Sequence, residues 1–442
     1  MAHHYTEAGL SQLAVDYWER AGQRAVARSA NAEALAHFNK ALDVLATLPD
    51  TPERAQRELG LQVAITFAIP AVKGWGAPEC KQAFSRAGVL SQAAPDSPNR
   101  FGGLWGLWAF HAMSNEFQTS LHFAEECRAQ AQRVGDAGQL VEAYLLLGVS
   151  LFWLGELAAA RTQLENCSAT YDPEHHRDHA FVYGTDPKAG GVALYLPATL
   201  CLLGYPEQGL TRSRELLGLA RTPAHPHTLA FALYGTAWGH VWRQEWREAQ
   251  GAAEELIALS AEQGFAFLES AGRCVAARAM VHQGGGAAGA ALLRRGLAEL
   301  KATGMGNFYT SCLPWAAEAA GILEQAREGM NELDDALHLL EQTDQRYAEA
   351  ELYWIRGTLL EQLASANEHE AEACYLKAIE VARRQQTKLL ELRAAMSLSR
   401  LWQRHAKHAE ARGLLEPVYG WFTEGFDTPD LKDAKALLDE LA

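Results

Sequence analysis

A small residue, a bulky residue four positions on and a small residue three further on recur ten times along the chain, mostly 40 residues apart. The copies are Ala34-Phe38-Ala41, Cys80-Phe84-Ala87, Ser120-Ala124-Cys127, Ala160-Leu164-Cys167, Gly209-Ser213-Leu216, Ala249-Ala253-Leu256, Gly289-Leu293-Gly296, Gly329-Leu333-Ala336, Ala371-Tyr375-Ala378 and Ala411-Leu415-Val418. Their first positions lie 46, 40, 40, 49, 40, 40, 40, 42 and 40 residues apart. Several copies are degenerate, and the regular spacing keeps them in the series. A period of roughly 20–50 residues marks a stacked solenoid, since one helix pair cannot bury its apolar face alone. The spacing predicts an all-α fold, a right-handed α-solenoid of about ten antiparallel helix pairs running as one superhelix over residues 1–442. It also moves the expectation from catalysis toward binding.

Residues upstream of each copy sharpen the pattern. Trp18 and Gly22 precede Ala34; Tyr144 and Gly148 precede Ala160; Tyr353 and Gly357 precede Ala371. The order bulky, Gly, small, bulky, small is similar to the tetratricopeptide (TPR) repeat. The glycine allows the second helix to approach closely. Turn signals fall where a helix pair needs them, at Leu154-Gly155-Glu156, Leu203 to Pro206, Gln283 to Gly286 and His405 to His408. Breaks between pairs are expected at Pro49 to Pro52, Ala94 to Pro98, Asp172 to Glu174 and Thr222 to Pro226. Two gaps, of 46 and 49 residues, exceed 40 by more than two. The first holds a loop, Val72 to Pro78. The second holds an inter-repeat insertion loop, 168–191, and solenoid insertions commonly line a binding face.

Composition narrows the function. Hydrophobic residues make up 48% of the 442 residues, enough for a continuous core. The formal charge of −15 argues against a nucleic-acid partner, which demands a surplus of Lys and Arg. Seven scattered cysteines without a C-x-x-C read as small core residues in a reducing compartment. The N-terminus has no apolar signal core, and the apolar stretch Val192 to Tyr205 is short and interrupted by Pro197. A cytoplasmic protein with no membrane partner is expected.

Several blocks resemble the TPR-rich C-terminal region of bacterial adenylate/guanylate cyclase-like signalling ATPases of the STAND/AAA type. They include Ala2 to Gly9, Ala21 to Ala25, Leu104 to Trp108, Phe152 to Glu156, His176-Arg177 with Ala180 to Gly184 and Asp186-Pro187, and the closing Tyr419 to Thr428. The resemblance implies a sensor that biases an ATPase and its effector. No Gly-Lys dipeptide occurs, so no Walker A loop exists in this sequence. The chain reads as an excised or stand-alone sensor module, starting where such a TPR region starts.

Candidate site residues follow from the register. If first helices line the concave surface, they place Trp105, Phe152, Trp153, Tyr195, Tyr234, Trp238, Trp242 and Trp315 in an aromatic inner groove. Such a groove suits peptides, helices or small molecules with flat faces. Inner charges are few: Glu142, Arg278, His282 and Glu318. They do not form the Lys/Arg/Asn set that grips a peptide carboxylate. If the insertion folds over the groove, His176, Arg177, Tyr183 and Asp186 supply polar ligand contacts. The Asp172, His175, His176, Asp178, His179 cluster lacks metal-ligand order and reads as a structural or ligand-contacting loop rather than a metal site. No G-x-S-x-G or phosphate-binding glycine loop is present. The expectation is a non-catalytic sensor without cofactor. It would bind a peptide, protein or small molecule through Trp105, Trp153, His176, Arg177, Tyr183, Asp186, Tyr195, Tyr234, Trp238, Arg278 and Trp315. The alternative is a protein–protein or self-assembly scaffold without a small ligand.

Overall fold

The computed structural model describes the whole chain except Ala27, Ser29, residues 74–76, Pro95, Pro223, Ala224, Ser365 and Ala366. Parts of three expected breaks, at 74–76, Pro95 and 223–224, therefore lie outside the described residues. Among the described residues the secondary structure is helical, without strands.

A short helix α1 (Ala2–Glu7) precedes the repeats. The first four pairs are α2 (Ser11–Val26) with α3 (Asn31–Leu45), α4 (Pro52–Lys73) with α5 (Pro78–Ala93), α6 (Arg100–Met113) with α7 (Phe117–Val134), and α8 (Ala137–Trp153) with α9 (Leu157–Thr170). The insertion carries two short helices, α10 (Pro173–His176) and α11 (His179–Tyr183), before a wide π-type turn (Pro187–Val192). Then follow α12 (Ala193–Leu202) with α13 (Pro206–Arg221), α14 (Pro226–Trp242) with α15 (Trp246–Gln263), and α16 (Ala266–Met280) with α17 (Gly286–Ala302). The last pairs are α18 (Gly306–Ile322) with α19 (Ala326–Gln342), α20 (Glu349–Leu363) with α21 (Glu368–Gln385), and α22 (Lys388–Arg404) with α23 (His408–Tyr419). Helix α24 (Pro429–Glu440) closes the chain.

Every copy of the ten-fold pattern sits on the second helix of its pair, with all three of its residues buried. The upstream glycines explain the spacing. A Cβ on Gly22 would stand 2.4 Å from the Phe38 ring, one on Gly148 2.7 Å from Leu164, and one on Gly357 2.5 Å from Tyr375. The bulky residue of each pattern thus packs into the space its glycine leaves.

Winding brings pairs four or five apart into contact. The Arg346 N–H, between α19 and α20, donates to the Trp153 carbonyl at the end of α8 at 2.7 Å. Gly155, at φ +79°, makes the turn there, and any Cβ would collide with Gln385 and Arg346. Asp344 accepts from the Gln118 N–H at 3.3 Å. The residues after α23 return to α13: Glu424 accepts from the Glu207 and Gln208 N–H groups at 2.9 and 3.0 Å. A carboxylate there satisfies free donors at a helix N-terminus and opposes its dipole. Arg393 of α22 binds Asp430 through two hydrogen bonds of 2.9 Å and donates to the Trp242 carbonyl at 2.9 Å.

Gly235 marks the tightest approach on the inner side, where a Cβ would lie 2.0 Å from the Ala193 carbonyl oxygen. Gly235→Ala is expected to lower stability by about 1–3 kcal/mol through overpacking. Gly251→Ala, on the exposed side of α15 with nothing within 4 Å, should raise it by up to about 1 kcal/mol through helix propensity. Side-by-side urea midpoints test both, and equal midpoints would refute the close approach.

Candidate functional site

The first helices face the axis, so their inner side chains meet those of the next turn. Phe152 and Trp153 of α8, Tyr195 of α12, and Tyr234 and Trp238 of α14 gather with Phe308 of α18 and Tyr347. Ring centroids stand 5.1 Å apart for Phe152–Tyr347, 5.4 Å for Phe152–Trp238, 6.1 Å for Trp153–Phe308 and 5.4 Å for Tyr234–Phe308. These are edge and offset arrangements that aromatic quadrupoles favour. Trp153, Trp238 and Trp315 are at most 1% exposed. The expected open groove is, in this structure, a filled aromatic seam. Phe308 and Tyr347 were not anticipated. Their membership depends on contact between distant repeats, which no local pattern encodes.

At one end of the seam the insertion lies over α4, α6 and α8. Tyr183 packs its ring against Trp105 at 5.3 Å, Phe67 at 5.6 Å and Phe101 at 6.2 Å. Glu142, 1% exposed, accepts from Trp105 Nε1 at 3.3 Å and pairs with His179 Nδ1 at 2.8 Å. Burial raises the Glu142 carboxyl above its ordinary range, and the His179 contact opposes that rise. The other insertion candidates do different work. Asp186 accepts from the Lys188 and Ala189 N–H groups and from the Tyr171 hydroxyl, fixing the turn into α12. His176 is buried, and its Nδ1 accepts from the Asp172 N–H at 2.9 Å. Burial, then the neighbouring His179, lowers its pKa. Arg177 stands exposed at the surface. The structure therefore brings Tyr183 to Trp105 but keeps His176, Arg177 and Asp186 out of the aromatic seam. Among the described residues no group of His, Cys, Asp and Glu comes together as a metal-ligand set.

The other end is polar. Arg278 of α16, 3% exposed, places Nε 2.8 Å from Glu318 and one terminal nitrogen 3.1 Å from Glu351. Its guanidinium carbon lies 4.9 Å from the Trp315 ring centre, within cation–π range. His282 stacks on Trp246 at 3.8 Å and reaches Glu318 at 3.3 Å. Burial alone would push the Glu318 carboxyl up, but the Arg278 and His282 charges outweigh it and hold it at about 2. Burial keeps Glu351 above its ordinary range despite Arg278. Sequence reasoning identified Arg278, His282 and Glu318 as inner charges but missed Glu351, whose place in α20 gives no signal apart from the repeat register. Burial pushes the Cys80 thiol up to about 11 and the Cys201 thiol to about 12, the reverse of an activated thiolate. A shallow surface dimple, lined by residues including Leu293, Arg294, Ala316, Glu328 and Glu332, contains none of the seam residues.

No protein-family model matches the chain. An uncharacterized protein of Rhizobium meliloti (strain 1021) is 22% identical over 405 residues, covering 91% of this chain. The chain spans only 39% of that relative's length. Among solved structures, a Rap protein complexed with competence and sporulation factor superposes with a TM-score of 0.63 at 11% identity, covering 84% of this chain and 98% of its own. A Pyrococcus horikoshii STAND protein with a tetratricopeptide repeat sensor gives a TM-score of 0.42 at 12% identity, covering 80% of this chain and 55% of its own. Yeast Tom70 gives 0.38 at 12% identity, covering 99% and 94%. The Rap superposition shows a shared helical-repeat solenoid fold. Among the described residues no helix is long and apolar enough to cross a membrane.

The lowered Glu318 carboxyl makes a pH prediction. A folded pKa below the unfolded one stabilises above the unfolded value of about 4.5 and loses that stabilisation as pH falls toward about 2. At about 1.4 kcal/mol per tenfold, the drop from 4.5 to about 2 corresponds to roughly 3 kcal/mol at neutral pH. Glu318→Gln should therefore be less stable than wild type at pH 7, with the difference shrinking between pH 4.5 and 2. Denaturation followed across that range checks it; a gap independent of pH would assign the loss to packing.

Proposed function

We propose that the chain is a non-catalytic TPR-type sensor of a bacterial signal-transduction ATPase, taking a peptide or small molecule on the inner aromatic surface of its superhelix. The observation that carries this reading is the way the surface is closed. Rings fill the axis, while backbone N–H groups donating to the Trp153 carbonyl and to the Glu424 and Asp344 carboxylates join one turn to the next at its rim. Each such bond contributes only about 0.5–3 kcal/mol net, those to carboxylates the most. The rim can therefore yield while each helix pair stays whole, because a solenoid's stability is a sum over repeats and their neighbours.

Ligand that enters between turns changes the pitch, and the pitch is what an attached module would feel. It shifts that equilibrium only by its differential affinity for the open and closed shapes. The Rap protein that shares the fold was solved with competence and sporulation factor bound, which supports a binding role for this chain. The ATPase context rests on the sequence blocks around His176 to Pro187 and Tyr419 to Thr428. The aromatic candidates Trp105, Trp153, Tyr195, Tyr234, Trp238 and Trp315 belong to this surface, with Arg278 at its polar end. Tyr183 of the insertion occupies it in the closed shape. His176, Arg177 and Asp186 act through the insertion's attachment rather than by touching ligand.

A thermal-shift screen of metabolites, nucleotides and short peptides should yield hits whose binding Trp153→Ala and Trp238→Ala weaken. Glu424→Ala removes the three hydrogen bonds that close the turn on Gln208 and Glu207. It should raise the radius of gyration seen by small-angle scattering and tighten binding of such a hit several-fold, since less closure must be undone. Unchanged affinity in an expanded Glu424→Ala variant would sink the coupling between pitch and ligand.

A further inference from the structure

Several buried polar atoms along the polar half of the seam have no partner. They are the indole N–H groups of Trp238, Trp242 and Trp315, one terminal nitrogen of Arg278, and one carboxylate oxygen of Glu351. All five residues are at most 3% exposed. They lie on the first helices α14, α16, α18 and α20. Trp238 and Trp242 lie one turn apart on α14, and Trp238 packs on Tyr347 at 5.7 Å. Arg278 bonds Glu351 and covers Trp315. Arg393, which holds the Trp242 carbonyl, also lies 5.8 Å from the Trp242 ring. Buried polar groups are nearly always paired, so four donors and one acceptor left here point to a guest that can pair them.

The charges present define what that guest is. Arg278 already faces Glu318 and Glu351, and Arg393 faces Asp430. Two guanidinium groups thus face three carboxylates, so an anion would deepen a buried excess of negative charge, and a cation could use none of the four free N–H donors. An amide supplies both a carbonyl acceptor and an N–H donor without net charge. Its flat face suits indole walls. Donors outnumber acceptors in the seam, and a carbonyl oxygen takes two hydrogen bonds where an amide N–H gives one. The spacing also agrees. Residues four apart on a helix rise about 6 Å, close to the repeat of roughly 6.8 Å between same-side carbonyls of an extended chain. Phe231 and Phe267, half-buried and 6.0 Å apart, lead inward to Phe308.

We propose that the seam binds the main chain of an extended peptide: Trp238, Trp242, Trp315 and Arg278 donate to its carbonyls, and Glu351 accepts an amide N–H. This rests on the sensor reading and adds that recognition is of backbone, so it tolerates many side chains.

The test uses the full chain labelled with ¹⁵N at its tryptophan indoles and a pool of random hexapeptides, acetylated and amidated to carry no end charges. Binding should move the indole N–H resonances of Trp238, Trp242 and Trp315 downfield. Trp242→Phe and Trp315→Phe keep a ring but lose the N–H, and each should weaken binding about tenfold, the ordinary weight of one hydrogen bond. A pool N-methylated at every amide keeps its carbonyls, loses the donor for Glu351 and should bind more weakly to unaltered protein. Full-strength binding of the pool to both Phe variants would overturn backbone recognition while leaving a sensor. Absence of binding, with the three indoles showing exchange contacts to buried water alone, overturns the proposal too. Hits of other chemistry in the thermal-shift screen would still stand.

Discussion

The structure depends on one hydrogen bond more than its size implies. The Arg346 N–H reaches the Trp153 carbonyl only because the chain, after four repeats, has come back to where it was. That return fixes the width of the axis. With first helices from successive turns this close, the side chains facing inward fill the space between them. Rings do so efficiently, because each covers a large area with few rotatable bonds. The inner aromatic character therefore has a structural cause before any functional one. What it leaves for function is the set of polar atoms that rings alone cannot satisfy.

The charges of the axis follow the same logic. An isolated buried ion would neutralise or disrupt its surroundings. Arg278 is tolerated because two carboxylates and an indole face surround it, and Arg393 because Asp430 meets it with two hydrogen bonds. Such networks contribute little net stability compared with apolar packing of equal volume. Their value is in register: Arg278 joins α16 to α18 and α20, and Arg393 joins α22 to α24 and to the end of α14. A slip of one repeat against the next would strand these charges.

The pattern on the second helices was legible from sequence because it is local to each pair. Gly22 and Phe38, or Gly357 and Tyr375, meet within a single hairpin. The inner face was also readable, since Trp153, Trp238 and Trp315 all fall on first helices. Their burial was not. Superhelical pitch accumulates from small rotations at each interface, and no residue pattern states their sum. Hence Phe308 and Tyr347 escaped notice, as did the pairing of Glu351 with an arginine 73 positions away. The insertion was read as a loop, whereas Asp172 and Asp186 organise it into short helices and a wide turn.

The insertion completes the argument about filling. The inner faces of α8, α12 and α14 are covered by residues of the following turn. Those around Phe67 and Phe101, one or two repeats earlier, are covered instead by Tyr183. The nine residues by which that repeat exceeds 40 thus stand in for a helix of another turn. His179 then brings a partner to Glu142, whose carboxylate would otherwise share its burial with an indole N–H alone. At the opposite end the chain from Trp421 to Asp430 performs the corresponding task against Tyr205 and Arg393. The insertion and the closing segment are therefore the two that finish the ends of the seam.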